Sequence, residues 1–321
     1  MDIKDIHKLG IELGIKNDLR PKADVMKKLK RLKEKYEKLD KDEKKLFDKE
    51  QLTNPYSDSR VHYDSGVKKV KRVLTGIDMD TAELLLANTL NQQNPKKQID
   101  LIIAHHPTGA ALMGLDAVMD LQVDVLHQYG VPINIAESLV KKRISEVSRG
   151  LDPINHFKPV DAARLLGLGY MNVHTPADNM VATFLKRKME KEKPEYVGDI
   201  LKSLLKVPEY AEAKKLGGGP RLFTGTEDNR AGKIGITEIT GGTEGSKDVY
   251  KNAAAAGIGT IIVMHQSEPH RKAAEEAHIN VVSAGHISSD SIGMNLFLDE
   301  LEKKGVEIVP CSGLIRHSRV K

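Results

Sequence analysis

Tryptophan is absent, aromatic residues make up 4% of the 321 positions, and Cys311 is the single cysteine. One cysteine can form neither an intramolecular disulfide nor a thiolate zinc cluster. Any metal site must therefore be assembled from His, Asp and Glu, and a reducing cytoplasm is the expected compartment. So few aromatics leave little on which unpaired bases could stack. No stretch approaches the roughly 20 apolar residues that span a bilayer, and Met1–Asp5 lacks the apolar core of a signal peptide, so no membrane partner is expected. An excess of one charge is nearly lacking too. The net charge is +5, and residues 22–50 hold twelve Lys/Arg against eight Asp/Glu, which places four of the five positive charges there. Duplex binding needs a broad basic face, so nucleic acid is not an expected partner. What remains is an ordinary globular composition, 40% hydrophobic and 30% charged, long enough for two domains.

The first 60 residues differ from the rest. Val25, Leu29, Leu32, Tyr36 and Leu39 follow a 4-3-4-3 spacing, Glu43 interrupts the series and Leu46 resumes it. This spacing predicts a helix with a narrow apolar stripe, lying on the chain's own body or serving as a subunit contact. Residues 53–59 read as a loop. From residue 66 onward strands and helices alternate. Strands are predicted at 70–77, 99–104 and 169–173, and again at 233–240, 260–264, 279–284 and 306–310. Helices are predicted at 81–90, over most of 111–166 and 176–215, and at 246–256, 269–278 and 291–304. Gly217-Gly218-Gly219-Pro220 is the best candidate hinge. The expected fold class is α/β: two related α/β domains with mixed, largely parallel sheets flanked by helices, plus an N-terminal charged helical extension. The predicted boundaries are 1–60 for the extension, 61–216 for the first domain and 217–321 for the second, with the site in the cleft between them. The two alternating blocks have the look of a distant duplication.

Ligands gather at the carboxyl ends of strands in α/β sheets, and several histidines fall there. His105-His106 follow the strand 99–104, His174 the strand ending at Val173, His265 the strand 260–264, and His286 the strand 279–284. Any one of them reads as a turn residue; four such sites point to a shared centre. His174-Thr175-Pro176-Ala177-Asp178 and His286-Ile287-Ser288-Ser289-Asp290 each place a carboxylate four residues after an imidazole, neighbours on one face where a helix begins. Two adjacent imidazoles at a strand end can address two metals. His105, His106, Asp178, His286 and Asp290 could supply a dinuclear site, and imidazole with carboxylate suits Zn, Mn, Fe, Co or Ni.

These motifs, in this order, resemble the Nif-three-like dinuclear metal-centre family, whose members are often labelled GTP cyclohydrolase 1 type 2 homologues. Asp100-Leu101-Ile102-Ile103-Ala104-His105-His106-Pro107 is similar to the family strand that ends in H-H-P, 174–178 to its H-T-x-x-D, and 284–290 to its G-H-x-x-x-E. Position 290 is Asp where the family usually carries Glu. The resemblance implies two divalent metals on His105, His106, Asp178, His286 and Asp290. It also implies two α/β domains facing each other across the metals, and a homohexameric ring.

The expected function is that of a metal-dependent hydrolase, cyclohydrolase-like or phosphoesterase-like, acting on a small phosphorylated or nucleotide substrate through a hydroxide bridging the metals. His270 and Glu268 are the candidate catalytic proton-transfer groups, with a polar surface loop as the competing reading. The functional alternative is a non-catalytic metal-binding ring or scaffold that recruits partners through residues 22–50. Gly241-Gly242-Thr243-Glu244-Gly245-Ser246 follows a strand as a phosphate-binding loop can, but it matches neither dinucleotide nor P-loop spacing. Asp78 and Asp80 stand past the strand 70–77 as further lining candidates.

Overall fold

Short segments rich in apolar residues, too short for helices, form most of the strands of the computed structural model, which describes residues 1–320. In chain order these are β1 (Val61–Tyr63), β2 (Arg72–Gly76), β3 (Leu101–Ala104), β4 (Gly169–Asn172), β5 (Arg221–Thr224), β6 (Lys233–Glu238), β7 (Ile258–Val263), β8 (Asn280–Ser283) and β9 (Glu307–Pro310). They form two sheets, ordered β1-β4-β3-β2-β9 and β5-β8-β7-β6. β1 runs antiparallel to β4 and β5 antiparallel to β8, while every other pairing is parallel. Without β9 the two sheets share one topology, which gives the suspected duplication a structural counterpart. Strands β3, β4 and β8 are buried along their whole length, as parallel strands covered on both faces must be.

Two helices join the sheets. Thr175–Glu192 and His286–Glu302 pack against each other. Ala177 and Met180 of the first, with Met294, Phe297 and Leu301 of the second, enter the core of the first sheet. Val181, Leu185 and Ile292 enter the core of the second. Each helix is therefore apolar on two faces, as a central layer requires. They meet backbone to backbone: a Cβ at Gly293 would stand 2.4 Å from the carbonyl oxygen of Ala177.

The ends of the chain depart from the predicted boundaries. Residues 1–60 do not form one appendage, because a helix at Ile3–Lys16 sends Ile3 and Ile6 into the first core. The stripe predicted from Val25 buries only Val25 and Leu29, in the helix Lys22–Lys38. A capping box on Asp40 then opens a separate helix, Lys41–Leu46, and Leu46 is 90% exposed. The long helix lies on the chain's own body, with Lys28 bridging Asp120 and Asp124 at 2.7 Å each. At the other end, β9 was expected in the second domain but pairs with β2 in the first sheet. The edge strands β1 and β5 escaped prediction because they are short and only partly buried, and so lack a clear apolar pattern.

Candidate metal centre

All four predicted strand-end positions converge between the sheets. After β3 the chain bends at His105-His106, with His106 N–H donating to Ile77 O at 3.0 Å. The two rings are anchored on opposite neighbouring strands. His105 turns toward β4 and donates its Nδ1 proton to Val173 O at 3.0 Å. His106 turns toward β2 and donates from Nδ1 to Asp78 at 2.7 Å. Both bonds make Nδ1 the donor and aim Nε2 into the cleft, the arrangement by which outer partners orient metal-binding imidazoles. His174 caps the helix Thr175–Glu192, so Asp178 stands in its first turn. The helix His286–Glu302 starts five residues earlier than predicted and brings His286 and Asp290 onto one face of its first turn.

Asp290 is the hub. His105 Nε2 lies 3.5 Å from its Oδ1, and His106 Nε2 and His286 Nε2 each lie 3.5 Å from its Oδ2. His105 Nε2 is also 3.5 Å from Asp178 Oδ1. These separations are too long for hydrogen bonds but match the ~3.4 Å edge of a tetrahedron built on ~2.1 Å metal–ligand bonds. His105 Nε2, Asp178 Oδ1 and both Asp290 oxygens are buried without a hydrogen-bond partner. Buried polar atoms rarely stay unpaired, and here four do so around one point. Three overlapping groups could each hold a cation: His105/Asp178/Asp290 and His106/His286/Asp290, which share one carboxylate, and His105/His106/His174.

The charge balance says the same. Burial pushes Asp178 well above the usual carboxylate range; His105 opposes this, while Asp290 and Asp58 add to it. Burial acts on Asp290 in the same sense, but the imidazoles of His105, His106 and His286 outweigh it and hold that group low. Burial would lower His106, yet Asp290 and Asp78 lift it to about 10. His286 is pushed down to about 4, by burial first, against the pull of Asp290. Asp178 is the carboxyl left unfavourable in its charged form, and divalent cations would stabilise it in place of protons on the imidazoles.

A chain similar in both sequence and fold exists among solved structures. It is a NIF3 superfamily protein from Sphaerobacter thermophilus, with 28% identity over 80% of this chain and 92% of that one, at a TM-score of 0.68. This is a NIF3-like fold. Reduced HcgD from Methanocaldococcus jannaschii, 14% identical over 81% of this chain and 91% of that one at a TM-score of 0.50, shares the fold alone. No protein-family model and no curated protein matches the sequence.

In this NIF3-like chain His106, Asp178, His286 and Asp290 border a cavity of about 260 Å³ whose other walls include Glu238, Gly242, Glu244 and His265, while His105 lies behind them. The predicted proton-transfer pair is not among its lining residues. Glu268 faces solvent, paired with Arg271 at 2.8 Å. His270 is buried one layer back, with its ring nitrogens bonded to Ser267 Oγ at 2.7 Å and Gly245 O at 2.9 Å. A proline at the start of the helix Glu268–Glu276 turns these two side chains away from the cleft. The glycine-rich loop does reach the cavity, with Gly241 and Gly242 both at positive φ. Asp78 supports His106, whereas Asp80 caps the helix Thr81–Gln93.

Sequence reasoning missed three contributors. His174 faces Asp178 at 3.9 Å through Nε2 and is held from behind by Asp58, 2.8 Å from Nδ1. It had been singled out as a strand-end histidine but left out of the ligand set. Asp58 sits in a stretch that reads only as loop, and nothing local reveals a partner 116 residues away. Glu238 ends a strand as an ordinary charged residue would, and its partner Tyr250 comes from the helix Val249–Ala255.

Proposed function

We propose that this chain is a dinuclear, divalent-metal-dependent hydrolase that acts on a phosphate ester or nucleotide. The unpaired Asp290 carboxylate, facing three imidazole nitrogens at 3.5 Å, carries this reading. His105, Asp178 and Asp290 would hold one cation, and His106, His286 and Asp290 the other; the nitrogen and oxygen donors suit Zn, Mn, Fe, Co or Ni. Such cations, when bound, polarise an ester and acidify a water.

The chain's own residues do the rest. Val173 and Asp78 lock the two adjacent rings, so the ligand atoms need no reorganisation. Asp58 holds His174 with Nε2 beside Asp178, where it can take up a proton. The cavity volume admits a small group, and among the described residues no Lys or Arg lines it, so the cations would be the anchor for phosphate. Leu85 and Leu86 on one helix, with Phe157 and Leu165 at the next, are exposed apolar residues on packed neighbours. They support a homo-oligomer, six-membered on the family resemblance, and a cytoplasmic setting completes the reading.

Metal analysis and turnover test this proposal together. About two divalent ions per chain are expected, lost in a His105→Ala, His106→Ala double variant. Hydrolysis of some member of a phosphoester and nucleotide panel, abolished by Asp178→Asn, is expected with Mn, Zn, Fe, Co or Ni supplied. Less than one ion per chain, unaffected by the double substitution, would overturn the metal centre. Full metal loading without turnover across the panel would overturn the hydrolase.

A further inference from the structure

We infer that Glu238 is the proton donor of the cleft, the group that protonates the oxygen departing from a phosphate ester. The inference rests on the hydrolase reading above and names a residue outside the metal-binding set.

Glu238 closes β6 and lines the cavity shared with His106, His174, Asp178, His286 and Asp290. Its Oε2 accepts the Tyr250 hydroxyl at 2.9 Å. That hydroxyl in turn accepts from Gln266 Nε2 at 2.8 Å. A phenol has one proton, and with Gln266 occupying a lone pair the proton is committed to Glu238. Oε1 is buried with no partner. A carboxyl placed there for structure alone would have both oxygens satisfied; this one has a tied oxygen and an idle one beside a reaction cavity. No cation neutralises it. The nearby charged group is Glu244, a second carboxylate, occupied by Ser267 N–H at 2.8 Å and by His270 at 3.3 Å. Burial pushes Glu238 up, against the hydrogen bond from Tyr250 and with repulsion from Glu244, to about 7. Near neutrality the group is therefore partly an acid, matched to general acid–base work.

The step balances without a further reactant. Water forms the new P–O bond as the ester P–O bond breaks, and the leaving oxygen takes the Glu238 proton and departs as an alcohol. The proton released by the water restores Glu238, so one water is consumed.

Glu238→Gln keeps the shape and removes the ionisable proton. With the metal content of the variant confirmed as unchanged, hydrolysis of an alkyl phosphate should fall about 100-fold or more. Hydrolysis of a nitrophenyl phosphate, whose leaving group needs no proton, should change little. Equal losses for both esters would overturn the assignment while leaving the hydrolase standing. Wild-type protein that hydrolyses neither ester nor any nucleotide would remove the hydrolase and this role with it. A second readout needs no substrate. Infrared titration of the wild type should show a carboxylic-acid carbonyl band that fades around neutral pH, is absent in Glu238→Gln, and persists to higher pH in Tyr250→Phe. Absence of that band in the wild type would overturn the assignment whatever the kinetics show.

Discussion

Gly293→Ala tests whether the contact between the two central helices sets the spacing of the metal ligands. Its Cβ would lie 2.4 Å from Ala177 O, 2.8 Å from Ala177 C and 3.3 Å from Ala177 Cβ. The obstacle is backbone, so no rotamer change relieves it and the helices must separate by about 1 Å. Ala177 precedes Asp178, and Gly293 lies three residues beyond Asp290 on the same helix face. The displacement is thus delivered to the two carboxylates, and separations now at 3.5 Å open. Overpacking of this kind costs about 1–3 kcal/mol. The gain in helix propensity from Gly to Ala returns about 1 kcal/mol at most. A net loss of about 1–2 kcal/mol is expected in denaturant unfolding of the metal-free protein, as a shift in midpoint at constant slope. Calorimetric titration with Zn should show at least about tenfold weaker binding, since a ligand set misplaced by about 1 Å loses its geometry. A variant as stable as the wild type, binding Zn equally well, would refute the claim that this close approach positions the site.

Asp178→Asn should raise the stability of the metal-free protein by about 1–2 kcal/mol, because it removes a buried carboxyl that repels Asp290. It should also lose the increase in melting temperature that Zn gives the wild type; a less stable metal-free variant would contradict the charge balance described here. Glu238 carries a pH signature. Its carboxyl is raised in the folded chain from 4.5 to about 7, so its contribution is favourable below 4.5 and is lost as pH rises toward 7. The loss amounts to about 3 kcal/mol. Wild-type stability should therefore fall relative to Glu238→Gln between pH 5 and 8, and parallel pH profiles would exclude the raised carboxyl.

Much of the fold was legible because parallel strands buried on both faces leave unbroken apolar runs, as in Leu101–Ala104 and Ile261-Ile262-Val263. The ligand candidates were legible for a related reason. The end of a parallel strand is a fixed place in space, so His105, His106 and His286 could be located before their neighbours were known. The partners behind them were not. Asp58 and Glu238 acquire their surroundings from segments distant in sequence, and no local pattern encodes that. The misplacement of Glu268 and His270 shows the limit of proximity in sequence: they follow His265 closely, yet a helix begins between them and carries them off. The stripe begun at Val25 failed after Leu29 because a spacing marks which residues share a face, and not whether anything covers it.

The pairing of β9 with β2 sets the order in which this chain can be completed during synthesis. Until residues 307–310 leave the ribosome, β2 is an open sheet edge, although β3, its other neighbour, has long since emerged. An open edge invites pairing with other chains, and the nascent protein must carry it through the synthesis of more than two hundred residues. The last strand thus works as a latch: the sheet that is begun first is closed only once residues 307–310 are available to pair with β2.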